Sequence, residues 1–327
     1  MRAIRIKEPG SFNMLELVER DVPKPGPEDL LVRVKAAGVN RADCMQRQGR
    51  YPIPAGAKWG DVPGLEIAGE VVETGSSVDE FKTGDRVLGL VQYGGYAEYA
   101  LVDRGLALAI PEAMDFVSAA GIIETFATAN ETVFEVGGLR VGETILIHAG
   151  SSGVGTTALQ MAKIAGAHVF ATAGSDAKLE RLATLGADLT INYRRQDFVQ
   201  AARAASTSGV DQILDFIGPD YLARNLQTLK ETGRLVFVGL LGSDTCEFDI
   251  RIMLARRLTI RGFTLRAQAL HDKRAIVKRV SQRWMPFVKK GLLKPILHAT
   301  FDLTEAAEAH RVMESNSNTG KIILAVN

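Results

Sequence analysis

Along the first third of the chain, apolar and polar residues alternate in short bursts, RAIRI, LELVER, DLLVRVKAAGV, IAGEVVETG, DRVLGLV and YAEYALV, set apart by the turn-forming stretches PKPGPED, GSSVDEFKTGD and YGG. A period of two puts alternate side chains on one face, so each burst predicts a strand, and their spacing predicts a β-rich, barrel-like domain. From about Thr144 the pattern changes: the apolar runs TILIHA, AHVFATA, LTIN, VDQILDFI, GRLVFVGL and LTIRGFTL alternate with stretches of helical character. That alternation predicts an α/β domain with a parallel, doubly wound (Rossmann) sheet. Residues 121–137 read as a helix joining the two units, 271–290 as an amphipathic helix, and KIILAV as a strand that rejoins the first domain. The expected division is therefore 1–122 with 293–327 for the β-rich domain that takes the substrate, and 123–292 for a dinucleotide-binding domain.

Residues 146–162, LIHAGSSGVGTTALQMA, break an apolar strand with a Gly/Ser turn and then resume with small and apolar residues at helical spacing. Gly150, Ser151, Ser152, Gly153, Val154 and Gly155 stand where a dinucleotide fold turns from its first strand into its first helix, with Ser152 in place of the second glycine of G-x-G-x-x-G. Glycines let backbone N–H groups approach a pyrophosphate, and the helix N-terminus favours its charge. About 20 residues on, an NAD site carries an acidic residue for the ribose 2′-OH. Here that tip reads Ala173-Gly174-Ser175, with Lys178 one turn into the next helix and Tyr193-Arg194-Arg195 after the following strand. Loss of a carboxylate and gain of a hydroxyl and cations suits a 2′-phosphate, so Gly174, Ser175, Lys178 and Tyr193 point to NADPH. Asp176 is taken as a charge or cap at the helix start, and Lys178 as plain solvated surface stays open as the alternative.

Charge narrows the partners. Across 327 residues Lys+Arg number 39 and Asp+Glu 38, with no long run of one sign, so no field gathers nucleic acid or anionic lipid and a small molecule is expected. The first residues lack an apolar signal core and no stretch approaches the length of a membrane span, which predicts a soluble cytoplasmic protein. Cys44 and Cys246 read as reduced structural thiols, and the five histidines show no ligand spacing, so no metal is expected.

The blocks VKAAGVNRAD, RQGRYPIP, PGLEIAGEVVETG, KTGDRV, GGYAEY, ETFATA, HAGSSGVG, TAGSDAK, INYR, DFIG, GRLVFVGLLG and GKIIL run in order from end to end. With them the chain resembles the zinc-independent quinone oxidoreductases of the medium-chain dehydrogenase/reductase superfamily, close to the NADPH:quinone reductase branch that includes zeta-crystallin-like proteins. Zinc-dependent members carry a Cys in the block matching GVNRAD and a His-Glu pair in the block matching GLE; here Asn40 and Leu65-Glu66 stand there, and no four-cysteine lobe is present.

The resemblance implies a GroES-like first domain and NADPH-dependent hydride transfer, without metal, to quinones or α,β-unsaturated carbonyls. It places Asn40 and Tyr51 on the substrate side and lines the cofactor with Thr128, Gly239, Leu240, Phe263, Thr264 and Leu265. It also implies a homodimer paired through the LTIRGFTL edge. Alternatives stay open at single residues. Tyr51 donates to an acceptor oxygen, stacks on the ring, or packs on Pro52 and Pro54; Asn40 meets the ligand or caps a helix; Ser151 faces the nicotinamide or caps. Enoyl-thioester reduction within the superfamily and a non-catalytic NADPH-binding role remain rivals. A short-chain reductase does not, because none of the six tyrosines has Lys four residues on.

Overall fold

The computed structural model describes residues 1–51, 53, 59–243 and 245–327. It divides into two compact units, Met1–Thr125 with Ala269–Asn327, and Phe126–Gln268.

The first unit begins with β1 (Arg2–Ile6) and β2 (Leu15–Glu19), an antiparallel pair, followed by β3 (Asp29–Val39), α1 (Arg41–Arg47), β4 (Glu66–Thr74), β5 (Arg86–Leu90), β6 (Tyr99–Asp103), β7 (Ala107–Ala109) and α2 (Phe116–Ala119). The long strand β3 organises this unit: it pairs antiparallel with β4, with β6 and with the C-terminal strand. Its second half, AAGV, is buried on both faces, which is why the period-two pattern gives way there to a continuous small and apolar run.

The joining helix predicted over 121–137 is α3 (Ile123–Asn130), and the division between units falls within it. It runs on into a wider turn over Glu131–Glu135, closed by Val136 N–H to Glu131 O at 2.7 Å.

The second unit holds β8 (Thr144–Ile147), α4 (Gly153–Ile164), β9 (His168–Ala173), α5 (Asp176–Thr184), β10 (Leu189–Asn192), α6 (Phe198–Ala205), β11 (Val210–Asp215), α7 (Pro219–Thr228), β12 (Leu229–Phe237), α8 (Arg251–Arg256) and β13 (Thr259–Gly262). All six strands are parallel, in the order β10-β9-β8-β11-β12-β13. The order reverses beside β8, where an open α/β sheet binds its ligand at the strand C-termini. Leu146, Phe170, Ile191, Phe198, Ile213 and Leu235 fill the core against the sheet; burying each such side chain contributes about 1.5–3 kcal/mol. The run LTIRGFTL is a strand only over β13, although Phe263 N–H extends the pairing to Phe237 O at 2.9 Å.

The chain returns to the first unit through α9 (Leu270–Arg283), α10 (Met285–Lys289), β14 (Leu297–Asp302), α11 (Ala306–Glu314) and β15 (Lys321–Ala325). Residues 269–292, expected with the dinucleotide-binding domain, therefore pack with the β-rich unit. Arg274 of α9 donates to both Asp103 and Glu28, a contact that helical periodicity could not announce. Neither β7 nor β14 stood out in the sequence. The first is three residues long, and the second is half-exposed with His298, Thr300 and Asp302 along it.

Candidate functional site

In the second unit the predicted strand TILIHA stops at Ile147, and Ala149 takes a left-handed φ of 48° to start the turn. Ser152 is the N-cap of α4: its Oγ accepts the Gly155 N–H at 3.0 Å. That use leaves the hydroxyl hydrogen free to donate, and leaves the N–H groups of Gly153 and Val154 without intrahelical partners at the mouth of the helix. Capping thus falls to Ser152 and not to Ser151, whose buried residue makes no side-chain hydrogen bond among the described residues. Gly155 admits no side chain, because a Cβ there would lie 2.6 Å from Ala149 O and 2.7 Å from Gly150 O.

A buried polar strut holds this turn from below. Asp215 Oδ1 accepts the Ile217 and Gly218 N–H groups, and Asp215 Oδ2 accepts Asn225 Nδ2 at 2.7 Å. With its amide nitrogen donating there, Asn225 Oδ1 must accept from His148 Nε2, 2.8 Å away; His148 Nδ1 then accepts the Thr172 hydroxyl at 3.1 Å. The ring is neutral, with burial pulling its pKa down to about 4. One network therefore ties together the ends of β8, β9 and β11. The sequence offered no sign of it beyond a histidine after an apolar strand.

At the tip of β9, Tyr193 and Arg194 lie over Gly174: a Cβ on that glycine would sit 2.6 Å from Tyr193 Oη and 3.2 Å from Arg194 Nε. Ser175 is the N-cap position of α5 but makes no side-chain cap bond. Asp176 is not a cap; its two oxygens are held by Asn192 Nδ2 and Arg195 Nη1, both at 2.8 Å. That pairing removes Arg195 and leaves Arg194, which makes no ion pair among the described residues, beside Lys178. Burial and then the Arg194 charge lower the Lys178 ammonium pKa. Two cations brought this close raise the local positive potential, which favours an anion there, and Arg194 is the member that sequence reasoning had not singled out.

The remaining predicted positions spread along the strand ends. Leu240 is exposed and reaches over Gly218, with its Cδ2 2.8 Å from where a Cβ would be, while Gly239 follows β12. Phe263 and Leu265 are buried and Thr264 is exposed, its carbonyl accepting Gln268 Nε2 at 3.0 Å. Thr128 is buried within α3, where its carbonyl accepts the Thr132 hydroxyl.

In the first unit, Asn40 is the N-cap position of α1, and its own N–H donates to Asp43 Oδ2 at 2.8 Å. Its amide is fully engaged: Oδ1 accepts Lys321 Nζ at 2.8 Å, while Nδ2 donates to Glu66 Oε1 at 3.1 Å and Gly38 O at 3.3 Å. Lys321 also donates to Val39 O at 2.8 Å and Glu66 Oε1 at 2.6 Å, so its three N–H groups are all used. Glu66 Oε2 accepts the Glu124 N–H at 3.0 Å. Beneath α1, Tyr96 Oη donates to Asp43 Oδ2 and accepts from His310 Nε2, both at 3.1 Å. Tyr51 is half-buried, and Pro52 and Pro54, against which it was weighed as a packing residue, lie outside the described residues. Cys44 is buried, its thiol pushed up to about 12 by burial, whereas Cys246 is exposed and so not a core thiol.

Residues 26–112 match the family described as "Alcohol dehydrogenase GroES-like domain" and residues 153–282 the one described as "Zinc-binding dehydrogenase". The quinone oxidoreductase of Rattus norvegicus is 31% identical over 329 residues, 99% of this chain and 97% of that protein. The chain belongs to the quinone oxidoreductase family of the medium-chain dehydrogenase/reductase superfamily.

The synaptic vesicle membrane protein VAT-1 homolog of the same species is 32% identical over 336 residues, covering 96% of this chain and 81% of that protein. The Escherichia coli quinone oxidoreductase structure complexed with NADPH superposes with a TM-score of 0.91 at 27% identity, over 99% of this chain and all of the other. Within this superfamily, the blocks that hold ligands in zinc-dependent members are occupied here by Asn40, tied to Lys321, and by Leu65, which is buried. Among the described residues no group of three or more His, Cys, Asp or Glu side chains is placed to hold a metal ion, and no helix is long and apolar enough to cross a membrane.

Proposed function

We propose that this oxidoreductase reduces quinones or related α,β-unsaturated carbonyls with NADPH, without metal. The observation that carries the reading is the tip of β9, where Tyr193 and Arg194 lie over Gly174, with Lys178 close enough to feel the Arg194 charge, at the place where an NAD site would hold a carboxylate. The residues fit a dinucleotide: Gly155 and Gly150 let the backbone close in, Gly153, Val154 and Ser152 keep donors for a pyrophosphate, and Tyr193, Ser175, Lys178 and Arg194 suit a 2′-phosphate. When bound, the reduced nicotinamide supplies the hydride.

The chain's own part is to bind, orient and handle charge. Thr128, Ser151, Gly239, Leu240, Phe263, Thr264 and Leu265 line the ring end in this reading. On the acceptor side Asn40 exchanges its longest bond, to Gly38 O, for an acceptor oxygen, held in orientation by Lys321 and Glu66. Tyr51 donates to the same oxygen or stacks on the ring. The domain that takes the substrate is the β-rich one, the protein is cytoplasmic, and two copies pair through the β13 edge.

An NADPH-oxidation screen with a small quinone, an enone, a crotonyl thioester, and ethanol with NADP tests this. Turnover with the first two and none with ethanol is expected; preference for the thioester would favour the enoyl-reductase reading, and ethanol oxidation would end the proposal. Tyr51→Phe separates donation, which would cost about 10²–10³ in kcat with an enone, from stacking, which would leave kcat nearly unchanged.

A further inference from the structure

Asp215, Asn225, His148 and Thr172 are almost wholly buried, yet every polar atom that links them has a partner. The direction of each bond is fixed. A carboxylate only accepts, so Asn225 donates to Asp215 and accepts from His148 Nε2; His148 Nδ1 is left an acceptor, and the Thr172 hydroxyl has to donate to it. Phe198 and Tyr221 pack edge-on against the ring, their centroids 4.7 and 4.9 Å away. Among such neighbours an apolar side chain would fill the space as well; what the polar one adds is orientation, because each of its bonds admits one partner in one direction.

Both ends of this chain stop at turns that follow strands. Asp215 Oδ1 accepts the Ile217 and Gly218 N–H groups, where β11 turns into α7. At the other end Thr172 grips the Gly/Ser turn twice, by its hydroxyl on His148 and by its carbonyl, which accepts the Gly150 N–H at 2.9 Å. Between those two grips stands Ala149, whose left-handed φ of 48° is a conformation that a residue with a Cβ keeps only when its surroundings impose it. The Ala149 carbonyl in turn accepts the N–H of Ser152, the cap of α4, at 2.9 Å.

We propose that His148 is a positioning residue for the dinucleotide: held by Asn225 on one side and Thr172 on the other, it fixes the turn at Ala149 and so aims the N–H groups of Gly153 and Val154 at the pyrophosphate. The inference rests on the dinucleotide reading above and adds to it residues that act from beneath the turn. Because NADPH and NADH share the pyrophosphate, His148 serves both equally, unlike Lys178 and Arg194.

Fluorescence titration with NADPH and with NADH is carried out on wild type, Thr172→Val, Thr172→Ser, His148→Leu and the double variant His148→Leu/Thr172→Val. Thr172→Val keeps the shape and removes the hydroxyl, and should weaken both dinucleotides by about 10-fold, as loss of a buried hydrogen bond does. Thr172→Ser keeps the hydroxyl and should bind both as wild type does. His148→Leu should weaken both, and adding Thr172→Val to it should cost nothing more, because the hydroxyl acts through the ring. A Thr172→Val protein with wild-type affinity, an equal loss in Thr172→Ser, or additive losses in the double variant overturns the proposal; the two Thr172 variants decide even if His148→Leu fails to fold. A wild type that binds neither dinucleotide also removes it, and places the failure in the dinucleotide reading.

Discussion

Lys321 Nζ stands 2.6 Å from Glu66 Oε1 although 255 residues separate them, and both side chains are almost wholly excluded from solvent. The pair forms because β15 and β4 flank β3 in one sheet, and it fixes Asn40 from both ends of its amide.

Breaking that pair should be costly. Lys321→Met leaves Glu66 buried without its cation, and losing one partner of a buried ion pair typically costs about 3–5 kcal/mol. Adding Glu66→Gln to the same chain should recover a substantial part. Urea unfolding of both variants checks this; a single substitution costing under about 1 kcal/mol would contradict the arrangement.

Cofactor choice should follow Arg194, which lies over Gly174, and its neighbour Lys178. Lys178→Ala and Arg194→Ala should each weaken NADPH binding by about 10- to 100-fold, as loss of a charge-assisted contact does, while NADH binding changes little. Fluorescence titration with both dinucleotides measures it. Equal affinity for the two in the unmodified protein would remove the 2′-phosphate assignment.

Acid should act through His148. Its folded pKa of about 4 lies below the ordinary 6.5, so between those values the unfolded chain binds the extra proton and stability falls as the pH falls. From pH 7 to 5 this amounts to about 2 kcal/mol for one such histidine. His310, pulled down to about 3 by burial, acts in the same direction. Asp43 and Asp215, both raised to about 6 by burial, act in the opposite one, gaining stability as they protonate in the folded state. The wild-type profile is thus partly levelled, and the informative quantity is a difference. The stability advantage of wild type over His148→Gln should shrink by about 2 kcal/mol over that interval in chemical denaturation; an unchanged difference would show that His148 titrates normally.

Assembly should depend on the β13 edge, which among the described residues pairs with β12 alone. Ile250 and Leu254 nearby are exposed at 61% and 75%, an apolar surface that a second copy would cover. Ile260→Lys should shift a dimer toward monomer in light scattering, and a wild type that is already monomeric at micromolar concentration would end the idea.

What could be read along the chain was whatever is carried by local spacing. The six apolar runs after Thr144 announced a parallel sheet because strands buried on both faces need continuous apolar residues, and the turn Gly150–Gly155 announced its cradle because glycine is required where helix and turn meet within 3 Å. Asp176 read as a charge or cap at the helix start, and what holds its oxygens, Asn192 and Arg195, lay in a neighbouring strand end. Helix α9 carried an amphipathic pattern that said it would be buried on one face, and nothing in that pattern said against which unit.

The sequence by itself determined the two architectures, the position of the glycine turn before α4 and the family, since periodicity, turn chemistry and ordered motif blocks are properties of neighbouring residues. Only the tertiary structure decided which charges neutralise one another: that Lys321 meets Glu66, and that Asp176 takes Arg195 and not Arg194. Such pairings depend on which strands lie side by side, and the free energy of a charge depends on how far water is excluded around it. Both are set by contacts between residues far apart in the chain.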